Sequence, residues 1–387
     1  MRESNEFSVI SVNGLRKIAF VGILLVFSFL FSCSSDKDEP SDSETISNCV
    51  ISAGGSYSIA IDKSGDLWAW GSNNFGQFGN GTTTSSATPV KIKLDTRFKI
   101  VSTGMYSTLA IDTDGNLWVW GINYNYGQLG DGTHENRLTP VQIKPGVKFK
   151  VVSAGTSDSF GIDTDGNLWA WGNNQCGQLG TGTLDNEFTP VQVKSGIKFQ
   201  SVSAGEGYTL AIDSEGNLLA WGDNSYGELG EGILSEWYSH VQVKTGTKFK
   251  SVSAGYRHTV AIDTNGNLWT WGANNYGQLG DGTTEVRYTP VQVKVGTKFK
   301  AVSAGTGFTV AIDDSGNLWT WGCNLSCQLG DGSVEQAVSS VPVPEQIMVG
   351  TKFQSVSAKV SHVLAIDKLG DLWIWGDNRS RPEKVKF

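Results

Sequence analysis

Four histidines and five cysteines are the residues of this 387-residue chain best suited to proton transfer, nucleophilic attack or metal binding. Their spacing argues against all three. His134 and His240 stand alone. His258 and His362 share one repeat position that elsewhere holds Tyr57, Ser107, Asp158, Tyr208 and Phe308. A position that accepts so many side-chain types reads as a packing or hydrogen-bonding site. The recurring Asp-Thr-Asp-Gly segments at 112–115 and 163–166 begin like a calcium loop, but they lack its length and its distal glutamate. Tight hairpin turns account for them better. No Ser/His/Asp triad, carboxylate pair or metal-ligand cluster follows from spacing. No catalytic residue, metal or cofactor is therefore expected.

The elements that carry these residues are set by a tryptophan ruler. The second Trp of an LW-x-WG motif falls at Trp70, Trp120, Trp171, Trp221, Trp271, Trp321 and Trp375, at intervals of 50, 51, 50, 50, 50 and 54. The first falls at Trp68, Trp118, Trp169, Trp269, Trp319 and Trp373, with Leu219 in the remaining copy. Only Trp237 of the fourteen lies outside the motif. A fixed period of this length marks a repeat architecture. The fifth copy reads as four short β segments at 250–254, 259–263, 268–271 and 290–293, separated by Gly- and Asp-rich turns. Short strands at even spacing, with large residues at i and i+2 to fill a wedge, predict an all-β seven-bladed β-propeller of four-stranded blades. The last copy, from Trp375 to Phe387, drops the long loop between its third and fourth segments. Two closures are open: repeat by repeat, or offset, with an N-terminal strand completing the last blade.

The stretch WGANNYGQLGDGT at 271–283, with VSAGYRHTVAI at 252–262, resembles the regulator of chromosome condensation (RCC1-type) repeat family. The resemblance runs from Val50 to Phe387. It implies a seven-bladed propeller whose known members bind proteins. The family's founder is an exchange factor for a small GTPase and binds chromatin, but its basic tail and its wedge between blades have no counterpart here. A bacterial member inhibits β-lactamases through one face. The resemblance thus implies a binding scaffold without naming a ligand.

Residues 18–31 are mostly apolar, follow Arg16-Lys17 and end at Ser32-Cys33. This pattern reads as a secretory signal too short to span a bilayer. Leu30-Phe31-Ser32-Cys33 resembles a bacterial lipobox, which implies cleavage before Cys33 and lipidation of that residue. The expected organisation is a lipoprotein signal peptide at 1–32, a lipidated Cys with a flexible acidic tether at 33–48, and the propeller at 49–387. The acidic stretch after Cys33 is similar to a surface-export signal. An exported, outer-membrane lipoprotein is expected, facing either the periplasm or the cell surface. In an oxidising compartment Cys323 and Cys327 become candidates for a local disulfide, the alternative being two buried thiols. Net charge is −8 and the pI about 5.1, which excludes a general affinity for nucleic acid. A monomer, membrane-bound only through its N-terminal lipid, is expected.

In a four-stranded meander the first–second and third–fourth loops open at one end. There the copies differ most, whereas the short turns at the other end are nearly identical. Variation among copies marks the end where the scaffold demands least and a ligand is read. Aromatics and arginines anchor binding patches, so the candidates are Trp237, Tyr238, Tyr256, Arg257, Tyr106, Arg137, Arg287 and Tyr288. This end also gathers acidic residues, including Asp131, Glu228 and Asp281, and favours basic partners. The sequence therefore predicts a protein- or glycan-binding propeller in the cell envelope. The alternative is a lyase or glycan-cleaving propeller with a pocket at the channel mouth.

Overall fold

A computed structural model describes residues 50–232, 237–333 and 340–387, with the backbone alone at 237–240. It contains seven four-stranded antiparallel sheets, each made of four strands consecutive in the chain. Blade 5 is typical, with strands Phe249–Ala254, His258–Asp263, Leu268–Gly272 and Arg287–Val293. The fourth strand starts three residues earlier than the sequence suggested. A bulge between Thr270 and Gly272 pairs Gly272 with Arg287 and so recruits the end of the long loop into the sheet.

Each seam between blades has its own apolar core. Between blades 5 and 6, Val260, Ile262 and Leu268 of one blade meet Phe299, Ala311 and Trp321 of the next. The long loop of each of blades 1 to 6 reaches over the following blade. Its Gln or Glu carbonyl accepts the indole N–H of that blade's second motif Trp, as in Trp321 Nε1 to Gln278 O at 2.8 Å. No Cβ fits at Gly280 of this loop, since it would sit 2.7 Å from that indole nitrogen.

Two further sets of bonds repeat around the ring. In each short turn an Asp organises its own hairpin: Asp263 accepts from the Asn267 amide at 2.9 Å and from Trp269 Nε1 at 3.0 Å. Burial pushes its carboxyl up, but these hydrogen bonds outweigh burial and hold it below the usual range. The turns are thus hairpin devices, and no cluster of metal-ligating side chains occurs among the described residues. Around the channel, a Ser hydroxyl of each innermost strand accepts an N–H from the neighbouring one. Ser102 takes that of Ala154, Ser153 of Ala204, Ser203 of Ala254, Ser253 of Ala304 and Ser303 of Ala358, at 2.9–3.1 Å. Ser52 accepts from Thr103, and Ser357 completes the circle by accepting from Ala53 at 3.0 Å.

The ring therefore closes repeat by repeat, without an exchanged strand. At the closing seam the chain's last residue does the work that a linker Phe does elsewhere. Phe98 lies edge-on to Trp118 and tilted against Trp120, at 6.4 and 6.1 Å. Phe387 takes the corresponding place against Trp68 and Trp70, at 5.2 and 6.2 Å.

Candidate functional site

The channel opens at the long-loop end into a cavity of about 170 Å³. This is below the several hundred Å³ of typical small-molecule sites. Its floor is made by the ends of the innermost strands, where six blades carry Gly after the Ser-Ala or Ser-Thr pair. Blade 7 carries Lys359 instead. Its ammonium reaches across the channel and donates to Thr103 O at 3.1 Å and Ala154 O at 2.7 Å, tying blade 7 to blades 2 and 3. Burial pushes this amine down to about 8, opposed by the charge of Asp158.

Asp158 stands at the repeat position that holds Tyr57, Tyr208, His258, Phe308 and His362. It is buried, one carboxylate oxygen has no hydrogen-bond partner, and burial pushes it up to about 7 against the pull of Lys359. The other members of this position are seam fillers. Tyr57 donates to Ser107 O at 2.6 Å, and Tyr208 to His258 O at 2.6 Å. His258 Nε2 meets Thr309 Oγ1 at 3.1 Å, and His362 Nε2 meets Ser58 Oγ at 3.1 Å. Burial pushes His258 down to about 3 and lowers His362 as well, so both imidazoles are neutral at pH 7.

The rim is richest between blades 4 and 5. The Arg257 guanidinium lies 4.6 Å from the centre of the Tyr226 ring and 5.1 Å from that of Tyr256. Glu206 faces the same pair. Burial raises its carboxyl, while a hydrogen bond from Tyr256 and the charge of Arg257 oppose the rise. Tyr256 is about one third exposed. Here the structure joins two of the predicted residues, Tyr256 and Arg257, into one cation–aromatic–carboxylate cluster at the cavity edge. It also adds Glu206 and Tyr226, which the sequence did not single out. Their signal was the repeat offset: the loop aromatic of one blade faces the first–second loop of the next, as Phe75 faces Tyr106 and Tyr276 faces Gly307.

The remaining predicted residues scatter. Tyr106 lies tilted against Phe75, ring centres 5.2 Å apart, on the far side of the mouth. Arg137 and Arg287 are not free anchors. Each binds the Asp of its own loop, Asp131 at 2.6 Å and Asp281 at 2.7 Å, and a neighbouring Thr hydroxyl. They lie in fourth strands at the outer rim, and they neutralise part of the acidic character expected of this end. Tyr288 is exposed and its ring covers Gly227 of blade 4. The backbones of Trp237 and Tyr238 belong to the strand Trp237–Val243, and their side chains lie outside the described residues, as does Cys33.

In this structure Cys323 is a free, buried thiol. It ends its strand and lies beside Gly307, with a Cβ placed at that glycine only 3.5 Å from its own. Cys327 holds the left-handed conformation, φ 61°, at a position occupied by Gly in other copies. At the equivalent Gly277 a Cβ points at Pro342 of the following blade. The linker lysines at the opposite end are likewise structural, with Lys144, Lys244 and Lys294 lying 4.0–4.4 Å from the Trp rings of the next blade.

Comparison with known proteins places this architecture. The profile of the RCC1-like domain matches residues 32–245, and that of the RCC1 repeat matches 265–312 and 315–366. The ultraviolet-B receptor UVR8 of Arabidopsis thaliana is 32% identical over 127 residues, 32% of this chain and 29% of the receptor. The match thus spans under a third of that curated relative. Among solved structures, Prp20p of Saccharomyces cerevisiae, reported with its binding to Gsp1p and histones, superposes with a TM-score of 0.74 at 22% identity, covering 83% of this chain and 86% of its own. Human WBSCR16 gives 0.74 at 20% identity, over 84% and 87%. At these identities the likeness is one of fold.

Proposed function

This chain belongs to the RCC1-like repeat family, and from that premise we propose that it is an exported, lipid-anchored binding propeller that engages a protein or glycan at its long-loop end. Cys33 carries the lipid, residues 34–48 form the tether, and the outer membrane is the site of anchoring. The contact is centred on Tyr256, Arg257, Glu206 and Tyr226, with Trp237 and Tyr238 as neighbours in blade 4.

One observation carries this reading. Around a ring whose short-turn end repeats the same Asp-centred hairpin, the long-loop end alone differs from copy to copy. At blades 4 and 5 it assembles an aromatic–cation–carboxylate cluster beside the channel mouth. Such residues supply rigid contact area at low entropic cost. Protein partners are favoured over glycans because the yeast relative was reported binding Gsp1p and histones. The test is a pull-down from the native envelope with residues 48–387 against the same domain carrying Tyr256→Ala and Arg257→Ala. Loss of the captured partner with an unchanged melting curve supports the assignment. Capture of every partner by both proteins refutes it.

A further inference from the structure

The closing seam lacks one component that the others share. In blades 2, 3, 5 and 6, the long loop of the preceding blade is held by three bonds. Its Gln or Glu carbonyl accepts from the second motif Trp and from a Ser or Thr hydroxyl of the second strand; Gln278 O, for example, takes Trp321 Nε1 at 2.8 Å and Thr309 Oγ1 at 2.9 Å. A loop glycine N–H then donates to the fourth strand of the following blade, as Gly282 does to Pro342 O at 2.9 Å. Between the two, a Leu or Phe such as Leu229 enters the seam core.

Blade 7 replaces that loop by a two-residue turn, Asp377-Asn378, with both residues at positive φ. The three receptors on blade 1 are still present: Trp70 Nε1, Ser58 Oγ and Ala87 O. Among the described residues no carbonyl accepts from Trp70, whereas all six of its equivalents have one. Trp70 is 5% exposed where those six are at 0%. Among the described residues, the seam core contains no Leu or Phe from a preceding loop. In its place is a cleft of about 80 Å³ bounded by Tyr57, Ser58, Trp70, Ala87, His362 and Arg379.

We propose that this cleft docks an extended, glycine-bracketed loop of another protein, offering a backbone carbonyl to Trp70 and Ser58, a leucine-sized side chain to the seam core and a glycine N–H to Ala87. The occupant's chemistry is read from the six filled seams of the same ring. A second copy of this chain is a poor donor, because each of its six loop carbonyls is already bound to its own Trp. The occupant is therefore a different protein. This surface is separate from the channel mouth and does not depend on it.

The probe is the synthetic peptide ANNYGQLGDGT, residues 273–283 of this chain, titrated into the full chain in detergent with its tryptophan indoles labelled with nitrogen-15. A saturable shift of the Trp70 indole N–H, with the indoles of Trp120, Trp171, Trp221, Trp271, Trp321 and Trp375 unmoved, is expected. Trp70→Phe, which keeps the ring and removes the donor, should be tested for binding by calorimetry and weaken it about tenfold. Ser58→Ala serves as the second variant should Trp70→Phe melt early. Replacing the peptide Leu by Asp should abolish the shift. A non-saturating Trp70 response, or equal binding of the Asp peptide, overturns the proposal. So does a Trp70 signal that responds only after residues 34–48 are deleted, which would assign the cleft to the chain's own tether.

Discussion

Replacing Glu228 by Gln should stabilise the protein above pH 7 and destabilise it slightly, by up to about 1 kcal/mol, near pH 4.5. The long loops of five other blades carry Gln77, Gln128, Gln178, Gln278 or Gln328 where blade 4 carries Glu228. The bond made is the same: Glu228 Oε2 accepts the Tyr226 amide at 2.9 Å, as Gln278 Oε1 accepts that of Tyr276. A buried carboxylate therefore performs an amide's task. Burial pushes it from 4.5 up to about 7, only partly offset by backbone hydrogen bonds and Arg257. Below about pH 4.5 the carboxyl is protonated in both states and there is no penalty. Between 4.5 and about 7 the unfolded chain ionises first, so stability falls as pH rises. Above 7 the penalty is complete, about 3 kcal/mol. The amide can leave its nitrogen without a partner, as Gln77 Nε2 is, at about 1 kcal/mol at any pH. The net expected gain at pH 8 is about 2 kcal/mol. Denaturant unfolding of wild type and Glu228→Gln at pH 4.5 and pH 8 measures the difference directly. Parallel behaviour at the two pH values would refute the assignment of Glu228 as a destabilising buried carboxylate.

Other expectations follow from the same geometry. Phe387→Ala should destabilise the ring by about 1–3 kcal/mol, less than the about 3–5 kcal/mol for the fully buried Phe299→Ala, as read by thermal unfolding. Lys359→Met should leave Asp158 buried without its counter-charge and cost about 3 kcal/mol, increasing as pH rises past 7. Adding Asp158→Asn should restore more than half of that loss, and a double-mutant cycle in urea at pH 6 and pH 8.5 decides it. Cys33→Ser should leave the propeller intact but shift it from the membrane to the soluble fraction, with mass spectrometry showing no lipid; unchanged membrane recovery would count against lipidation at Cys33.

The fold was legible because the residues that build it recur at one period. Each LW-x-WG motif places one Trp over a short-turn Asp and the next under a neighbouring loop, and both contacts demand the same side chain in nearly every blade. The site was only partly legible. Tyr256 and Arg257 were found because they break a repeat position at an exposed loop. Arg137 and Arg287 broke it too, but their partners, Asp131 and Asp281, sit six residues upstream in the same loops and were counted separately as an acidic surface. Glu206 and Tyr226 were passed over because the contact joining them to Arg257 crosses from blade 4 to blade 5. Lys359 was missed for a related reason: a single Gly-to-Lys change gains meaning only when the ring brings blade 7 opposite blade 3.

A ring of near-identical blades supplies its own controls, which changes how a departure from the repeat is to be weighed. At a position where five blades carry Gln and one Glu, or six carry Gly and one Lys, the scaffold is demonstrably satisfied without the odd residue. Each such departure here carries a cost. Glu228 and Asp158 hold carboxyls out of water, Lys359 buries a cation, and the two-residue turn of blade 7 leaves an indole donor without a partner among the described residues. A scaffold under no other demand would lose these features, because the residues that other blades carry at each place, Gln for Glu228, Gly for Lys359 and an uncharged side chain for Asp158, are the more stable choice. Three of them converge on the long-loop end, around the mouth and between blades 4 and 5. The fourth opens the seam between blades 7 and 1, where a two-residue turn stands in place of the long loop. The two surfaces named for partners are thus the places where the ring forgoes stability that its own repeats show to be available.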